Sequence, residues 1–225
     1  MVDNQLIENI FGWIGLIIST YFYCSPVVPF IKVLKGDMKY KDFPGILLMC
    51  SMMNCIFWID YGLLKNKIQV YLTCSIGGTI TLIWITIYVI FMAKKDILYS
   101  ILINLLLLLA MFSLTYKFYN TNVEITGYVA LVFNVLMLAA PGEKIINVIK
   151  TGKYELIPIF STIGSLLCSG SWLMFGVYSG DLTLIIPNGL GLLFGVFQLV
   201  IYCIFYKKTK SLKSNEEEET KVINI

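Results

Sequence analysis

Seven stretches of this chain carry no Asp, Glu, Lys or Arg, and little lies between them. They run from Asn9 to Ile31, Phe43 to Ile59, Ile68 to Ala93, Ile97 to Tyr116, Ile125 to Gly142, Leu156 to Gly180 and Leu182 to Tyr206, each 17 to 26 residues long. A helix needs about 20 mostly apolar residues to cross the hydrocarbon core of a bilayer, so each stretch is one candidate crossing. Of 225 residues 58% are hydrophobic and 14% charged, with a mean hydropathy of +0.80. A soluble domain of this size cannot hide that much apolar surface. The chain is predicted to be an all-α membrane protein with seven transmembrane helices. Its first stretch does not read as a cleaved leader, because Asp3 and Glu8 make its flank acidic and no small-residue cleavage site follows.

The lysines set an orientation. If the N-terminus is outside, 14 of the 17 Lys fall in cytosolic segments and only Lys65, Lys67 and Lys117 lie outside, which by the positive-inside rule gives N-out, C-in. After Tyr206 the chain is polar and ends in a Glu216 to Glu219 run, read as a solvated cytosolic tail over residues 207–225. The sequence has neither His nor Arg. That removes His-based acid/base triads, His metal sites and Arg forks for phosphate, so no enzyme, cofactor, metal or nucleic-acid partner is expected. Cys24, Cys50, Cys55, Cys74, Cys168 and Cys203 all sit in apolar surroundings with no CxxC pair, and read as buried single thiols.

The chain also repeats itself. Trp58, Tyr61 and Gly62 in the second window match Trp172, Phe175 and Gly176 in the sixth; Cys74 and Gly77 match Asn188 and Gly191; Tyr88 matches Tyr202. Pro26 and Pro141 both stand nine residues before a Lys, and Pro44 and Pro158 both stand fourteen before the Trp. Windows 1 to 3 therefore match windows 5 to 7, with window 4 as connector. A single connecting span leaves both repeats in the same orientation, a parallel repeat about an axis along the membrane normal. The resulting division is a first three-helix bundle over 9–93, a linker helix over 97–117 and a second bundle over 125–206.

At these residues the sequence resembles the SWEET sugar-transporter family, in which parallel repeats are known. The resemblance covers residues 8 to 208. It rests on Ser25-Pro26, Asn54-Cys55, Trp58, Tyr61-Gly62, Gly77 and Tyr88 in the first repeat. In the second it rests on Ala140-Pro141, Val148 to Thr151, Pro158, Trp172, Phe175-Gly176, Asp181, Pro187 to Gly189, Gly195 and Gln198-Leu199. It implies two three-helix bundles joined by an inversion-linker helix. It also implies a sugar held between Trp58 and Trp172 and hydrogen-bonded by Asn188. The plainer reading of the two Trp is an interfacial aromatic belt, and that of Asn188 an interhelical or capping amide.

A sugar offers apolar C–H faces and a belt of hydroxyls, so a site for it needs aromatic plates and a few amides. Asn54, Trp58 and Tyr61 share one helix stripe, and Cys168, Trp172 and Phe175 share another. Where the family usually has a second Asn this chain has Cys74, a poor hydrogen-bonding group, which shifts recognition to Asn188 with Asn54. The resemblance further implies a tetrad of hinge prolines, matched by Pro26, Pro141 and Pro158. The fourth member falls either at Pro44, by internal symmetry, or at the Leu47 position, by family spacing; Pro44 also reads as a first-turn proline. Phe22 and Met137, one turn from Pro26 and Pro141, hold the family positions that tune pocket size and imply a monosaccharide; ordinary packing accounts for them equally. The family places an extracellular gate at Tyr61 and Asp181, the latter also reading as a helix-start acid. Asp60, about 200° around its helix from Trp58, is expected to pair with Lys65 and Lys67.

The expected function is a facilitative, bidirectional sugar uniporter working by alternating access, with the bilayer and a small sugar such as glucose as partners. A PQ-loop-type amino-acid exporter shares the fold but calls for Pro-Gln where this chain has Pro26-Val27 and Pro141-Gly142. A seven-span receptor leaves the repeat unexplained, and a retinal protein lacks a Lys in the seventh window. The expected location is the plasma membrane, with a Golgi or vacuolar membrane as the alternative. Gly12/Gly15 and Gly191/Gly195 form small-residue faces on which a second copy can pack.

Overall fold

The computed structural model describes residues 3–39, 45–92, 123–137 and 139–223. The expected linker helix and Pro44 lie outside the described residues. Helix α1, Asn4–Tyr23, begins behind Asp3, whose carboxylate accepts the Gln5 amide at 3.1 Å, the usual way to satisfy a free helix N–H. The first crossing expected over Asn9 to Ile31 is one apolar span, Asn4–Lys35, made of two helical segments. Pro26 disfavours helical backbone before it and cannot donate a main-chain bond, so α1 stops at Tyr23 and α2, Val27–Lys35, starts behind Pro26. In the second half the described helical segments α5, Val123–Met137, and α6, Ala139–Thr151, belong to one apolar span, Val123–Thr151.

Helices α3, Gly45–Leu64, and α4, Ile68–Ile87, are joined by a three-residue turn, and α4 loosens into a π turn over Tyr88–Met92. After a 3-10 turn at Tyr154–Leu156, α7, Ile159–Ser179, runs to Gly180, whose φ of 68° is the left-handed closure that glycine permits. Helix α8, Leu182–Ile223, accommodates Pro187 and continues through the polar tail that was expected to be a solvated extension. Beyond Tyr206 its Lys and Glu keep helix-compatible side chains. Six helices among the described residues are long and apolar enough to cross a membrane.

The long helices close a ring. Helix α1 packs on α4, α4 on α3, α3 on α5, α5 on α8, α8 on α7, and α7 back on α1. Around the ring Ile17, Tyr21 and Phe160 face outward, while Ser51, Asn54, Thr73, Thr81, Ser171 and Gln198 are buried. Lipid tails are as apolar as a Leu side chain, so close packing and internal polar contacts must hold such a ring together. The glycine faces expected to serve a second copy are filled from within the chain. A Cβ on Gly15 would stand 2.8 Å from the Trp172 ring, and one on Gly191 would stand 2.6 Å from Ser169 Oγ. Of the six thiols, Cys55 and Cys74 are buried as expected, but Cys24 and Cys203 are exposed on the outer surface. They lie on apolar helix faces that need no burial in protein.

Two ends of the ring are built differently. At the end carrying the 65–67 and 180–181 turns, hereafter the loop end, one apolar cluster joins both halves: Trp58, Tyr61, Val70 and Cys74 with Ala130, Trp172, Phe175 and Leu184. Toward the lysine-rich end two separate clusters form. Leu48, Met52, Ile56, Ile85 and Val89 belong to the first half, and Ile145, Val148, Ile157 and Ile201 to the second.

Candidate functional site

Between the helices lies a cavity of about 200 Å³ lined by Ser19, Tyr23, Asn54, Trp58, Cys74, Asn134, Cys168, Trp172 and Asn188, among others. Helix geometry explains the assembly. Asn54 and Trp58 stand one turn apart on α3, and Cys168 and Trp172 one turn apart on α7. Cys74 and Asn188 each come seven residues after the residue that opens the turn into α4 or α8. All five residues expected to bind substrate, Trp58, Cys74, Trp172, Asn188 and Asn54, thus come to one wall system. None of the lining side chains is charged.

Each Trp has its indole N–H already engaged. Trp58 Nε1 donates to Asn54 Oδ1 at 3.1 Å, on its own helix, and Trp172 Nε1 donates to Ser19 Oγ at 3.0 Å, on α1 of the other half. Ser19 Oγ also lies 3.3 Å from Cys168 Sγ. These bonds fix the ring planes and leave the π faces for packing. Because Asn54 accepts through its oxygen, its amide N–H₂ remains a donor. Asn188 does the reverse: its N–H₂ donates to the Leu184 carbonyl at 2.8 Å, beside the main-chain bond that Pro187 removes from the same turn. Its oxygen keeps its accepting capacity.

Asn134 was not singled out by sequence reasoning, yet it lines this cavity and the next with a partly exposed amide. The signal was available. The spacing that takes Pro26 to Pro141 also takes Ser19 to Asn134, so the residue opposite a cavity serine is a cavity amide.

A second cavity of about 380 Å³ shares Ser19, Tyr23, Asn54, Asn134, Cys168 and Ser169 with the first and continues to Phe22, Pro26, Leu47 and Met137 toward the lysine-rich end. Phe22 and Met137, read as pocket-size positions, both line it. The Phe22 ring crosses to the other half, where a Cβ on Gly164 would stand 3.0 Å from its tip. Pro26 lies at the α1–α2 break, Pro141 within the Val123–Thr151 span and Pro158 directly before α7. Leu47, the alternative position for the fourth proline, lines the cavity at the same level.

The loop end is closed over the first cavity. Tyr61 Oη lies 2.8 Å from both carboxylate oxygens of Asp181, to which it donates. The same carboxylate accepts the Thr183 amide at 3.0 Å, and the Asp181 carbonyl accepts from Leu184 and Ile185. Asp181 is therefore both the acid that starts α8 and a link between the halves. Lys67, which the repeat matches to Asp181, forms a 2.6 Å ion pair with Glu8 of α1 and sits 5.7 Å above the Phe175 ring. Lys65 lies 5.9 Å from the Tyr61 ring centre. Of the two lysines expected to pair with Asp60, Lys67 pairs with Glu8. Asp60 is buried on the far face of α3, whereas Lys67 leans across the loop end to α1.

Chemically, the cavity offers two aromatic plates, three amides and several hydroxyls and thiols, all neutral. Among the described residues no three metal-ligating side chains converge. Such a lining binds a neutral, polyhydroxylated molecule by stacking and hydrogen bonds.

Comparison with known proteins gives the same direction. A family model described as "Sugar efflux transporter for intercellular exchange" matches residues 9–96 and again 124–210. The chain is 28% identical to the bidirectional sugar transporter SWEET5 of Arabidopsis thaliana over 100% of its own length and 97% of that protein's. It is 31% identical to the bidirectional sugar transporter SWEET1a of Sorghum bicolor, over 89% of this chain and 77% of the other. Among solved structures, a eukaryotic SWEET transporter superposes with a TM-score of 0.79 at 24% identity, covering 91% of this chain and 99% of that one; this likeness establishes the fold.

Proposed function

We propose, from the premise that this chain belongs to the family of sugar efflux transporters for intercellular exchange, that it carries a monosaccharide in either direction across a membrane. In this reading the ring is two three-helix bundles, α1, α4 and α3 against α5, α8 and α7, linked by the segment 97–117. The N-terminus is outside and the C-terminus inside. The observation that carries it is the unequal building of the two ends: one apolar cluster spans both halves at the loop end, and each half keeps its own cluster at the other. A carrier caught open toward the lysine-rich, cytosolic side has this form.

The mechanism follows from the geometry. Sugar enters the larger cavity between Phe22 and Met137 and reaches the level of Trp58 and Trp172. The Trp rings pack on its C–H faces, and the amides of Asn54, Asn134 and Asn188 hydrogen-bond its hydroxyls. Exposure to the outside requires Tyr61 to leave Asp181 and Lys67 to leave the Phe175 ring, while the two separate clusters approach across the lysine-rich end. Pro26 at the α1–α2 break, Pro158 at the start of α7 and Pro141 within the Val123–Thr151 span are where the backbone bends with fewest main-chain bonds to lose, since proline donates none. No charged group lines the cavity, so the free energy comes from the sugar gradient alone.

Uptake and efflux of labelled glucose in cells lacking hexose carriers tests this reading. The wild-type chain is expected to move glucose, and Asn188→Ala and Trp172→Ala to lose transport at equal surface abundance. Uptake by intact cells also reads placement in the plasma membrane. Failure of the wild type to move any hexose overturns the reading.

A further inference from the structure

The repeat places Cys74 where the second half has Asn188, and a thiol hydrogen-bonds a hydroxyl poorly. The wall beside Cys74 nevertheless carries a strong hydrogen-bonding group. Tyr23, in the last turn of α1, lines both cavities. Its ring lies across α4 in the space that a side chain on Gly77 would fill, one turn beyond Cys74. Its main-chain carbonyl accepts the Trp84 indole N–H at 3.1 Å, which anchors the base of the ring. At the far end Cys55 Sγ donates to Tyr23 Oη at 3.3 Å, and Tyr23 and Cys74 line the same cavity.

A phenol both donates and accepts. Here its accepting side takes the Cys55 S–H, and a phenol so engaged keeps its own O–H proton to donate. Donating it to a sugar hydroxyl needs no rearrangement of a ring already held by Gly77 and Trp84.

We propose that the Tyr23 hydroxyl is the donor that the first half presents to one sugar hydroxyl, in place of the amide that Cys74 lacks, and that it sets specificity for that hydroxyl. This rests on the sugar-transport reading above. It makes Tyr23 and Cys74 one functional unit: phenol plus thiol in the first half, amide in the second.

The test uses the full chain in proteoliposomes and compares glucose with its series of monodeoxy analogues. The wild type is expected to carry one analogue with a KM raised about tenfold over glucose, the size of one lost hydrogen bond in a desolvated site. In Tyr23→Phe, which keeps the ring over Gly77, the glucose KM should rise by a similar factor and the penalty for that analogue should vanish. Only a direct contact between the two hydroxyls produces that loss of discrimination. Adding Cys74→Asn to Tyr23→Phe should return the glucose KM toward wild type. The proposal is overturned if Tyr23→Phe leaves KM unchanged, or raises KM while every deoxy penalty persists. A wild-type chain that carries glucose with no deoxy penalty also overturns it, and leaves the transport reading standing. A wild-type chain that carries no hexose overturns that reading and the proposal with it.

Discussion

At the loop end, residues of both halves share a single apolar cluster capped by the Tyr61–Asp181 hydrogen bonds and the Lys67–Glu8 pair. At the lysine-rich end each half keeps its own apolar cluster, and the larger cavity runs between them with the Phe22 ring reaching across to Gly164. The difference shows where the energy of the closed end resides. A few polar contacts sit on a layer of aromatic packing: Tyr61–Asp181 and the Lys67 ammonium over the Phe175 ring join the halves, while the Lys67–Glu8 pair lies within the first. Contacts within a half hold the bundle together whichever way it faces. Contacts between halves choose the facing.

The sharpest way to break this comparison is to make the loop-end contact permanent. A Tyr61→Cys/Asp181→Cys pair joined by an oxidant is expected to abolish exchange completely, with recovery on reduction and no effect of oxidant on either single variant; continued transport by the cross-linked chain would mean that this end need not open. Next in size, Leu48→Ala removes a buried side chain from a cluster within the first half. It should cost about 2–5 kcal/mol of stability, read as a lower melting temperature in detergent, while the ratio of inward- to outward-facing carrier stays as it was. A shift in that ratio would contradict the assignment of this cluster to one half.

Asp181→Asn keeps the shape of the gate and weakens a charge-assisted hydrogen bond. At about 1.5–3 kcal/mol for such bonds, the population facing outward should rise roughly ten- to hundredfold, seen as faster external labelling of the Cys74 thiol by a small maleimide. Lys67→Ala removes the cation–π contact with the Phe175 ring of the other half, together with the Glu8 pair inside the first half, whose members keep 24% and 15% exposure. Its effect on the same labelling rate should be no more than about fivefold, because a cation–π contact of a partly hydrated ammonium contributes about 0.5–1 kcal/mol. If Lys67→Ala exceeds Asp181→Asn, the order of the two contacts in closing the gate is reversed.

Much of the fold is written in local features. Uncharged runs located the long helices because charge is excluded from the hydrocarbon core, and the offsets shared by Trp58 and Trp172 exposed the duplication. The break after Tyr23 was legible as Pro26, a hinge position inside one uncharged crossing, because proline interrupts the helix without changing the run's apolar composition. The helical course of α8 beyond Tyr206 was hidden: a run of Lys and Glu suits a solvated helix and a solvated coil alike. In the cavity, Asn54, Trp58, Trp172 and Asn188 could be named from stripes and repeat positions. Their hydrogen-bond partners could not. Trp172 to Ser19 and Lys67 to Glu8 join residues on different helices with no fixed offset, and only the ring closure of α7 on α1 and α4 on α1 brings them together. The small-residue faces misled for the same reason, because a stripe of glycine states that something packs closely without stating what.

The central claim is that this chain passes sugar through a cavity open to one side at a time, driven by the sugar gradient alone. Counterflow tests it most directly. Proteoliposomes preloaded with unlabelled glucose are given labelled glucose outside, with no ion or pH gradient. The account predicts a transient accumulation of label above its equilibrium level, which disappears when the internal sugar is omitted and does not return when a pH gradient is imposed in its place. Absence of the overshoot, or accumulation driven by the pH gradient with no sugar inside, would contradict it.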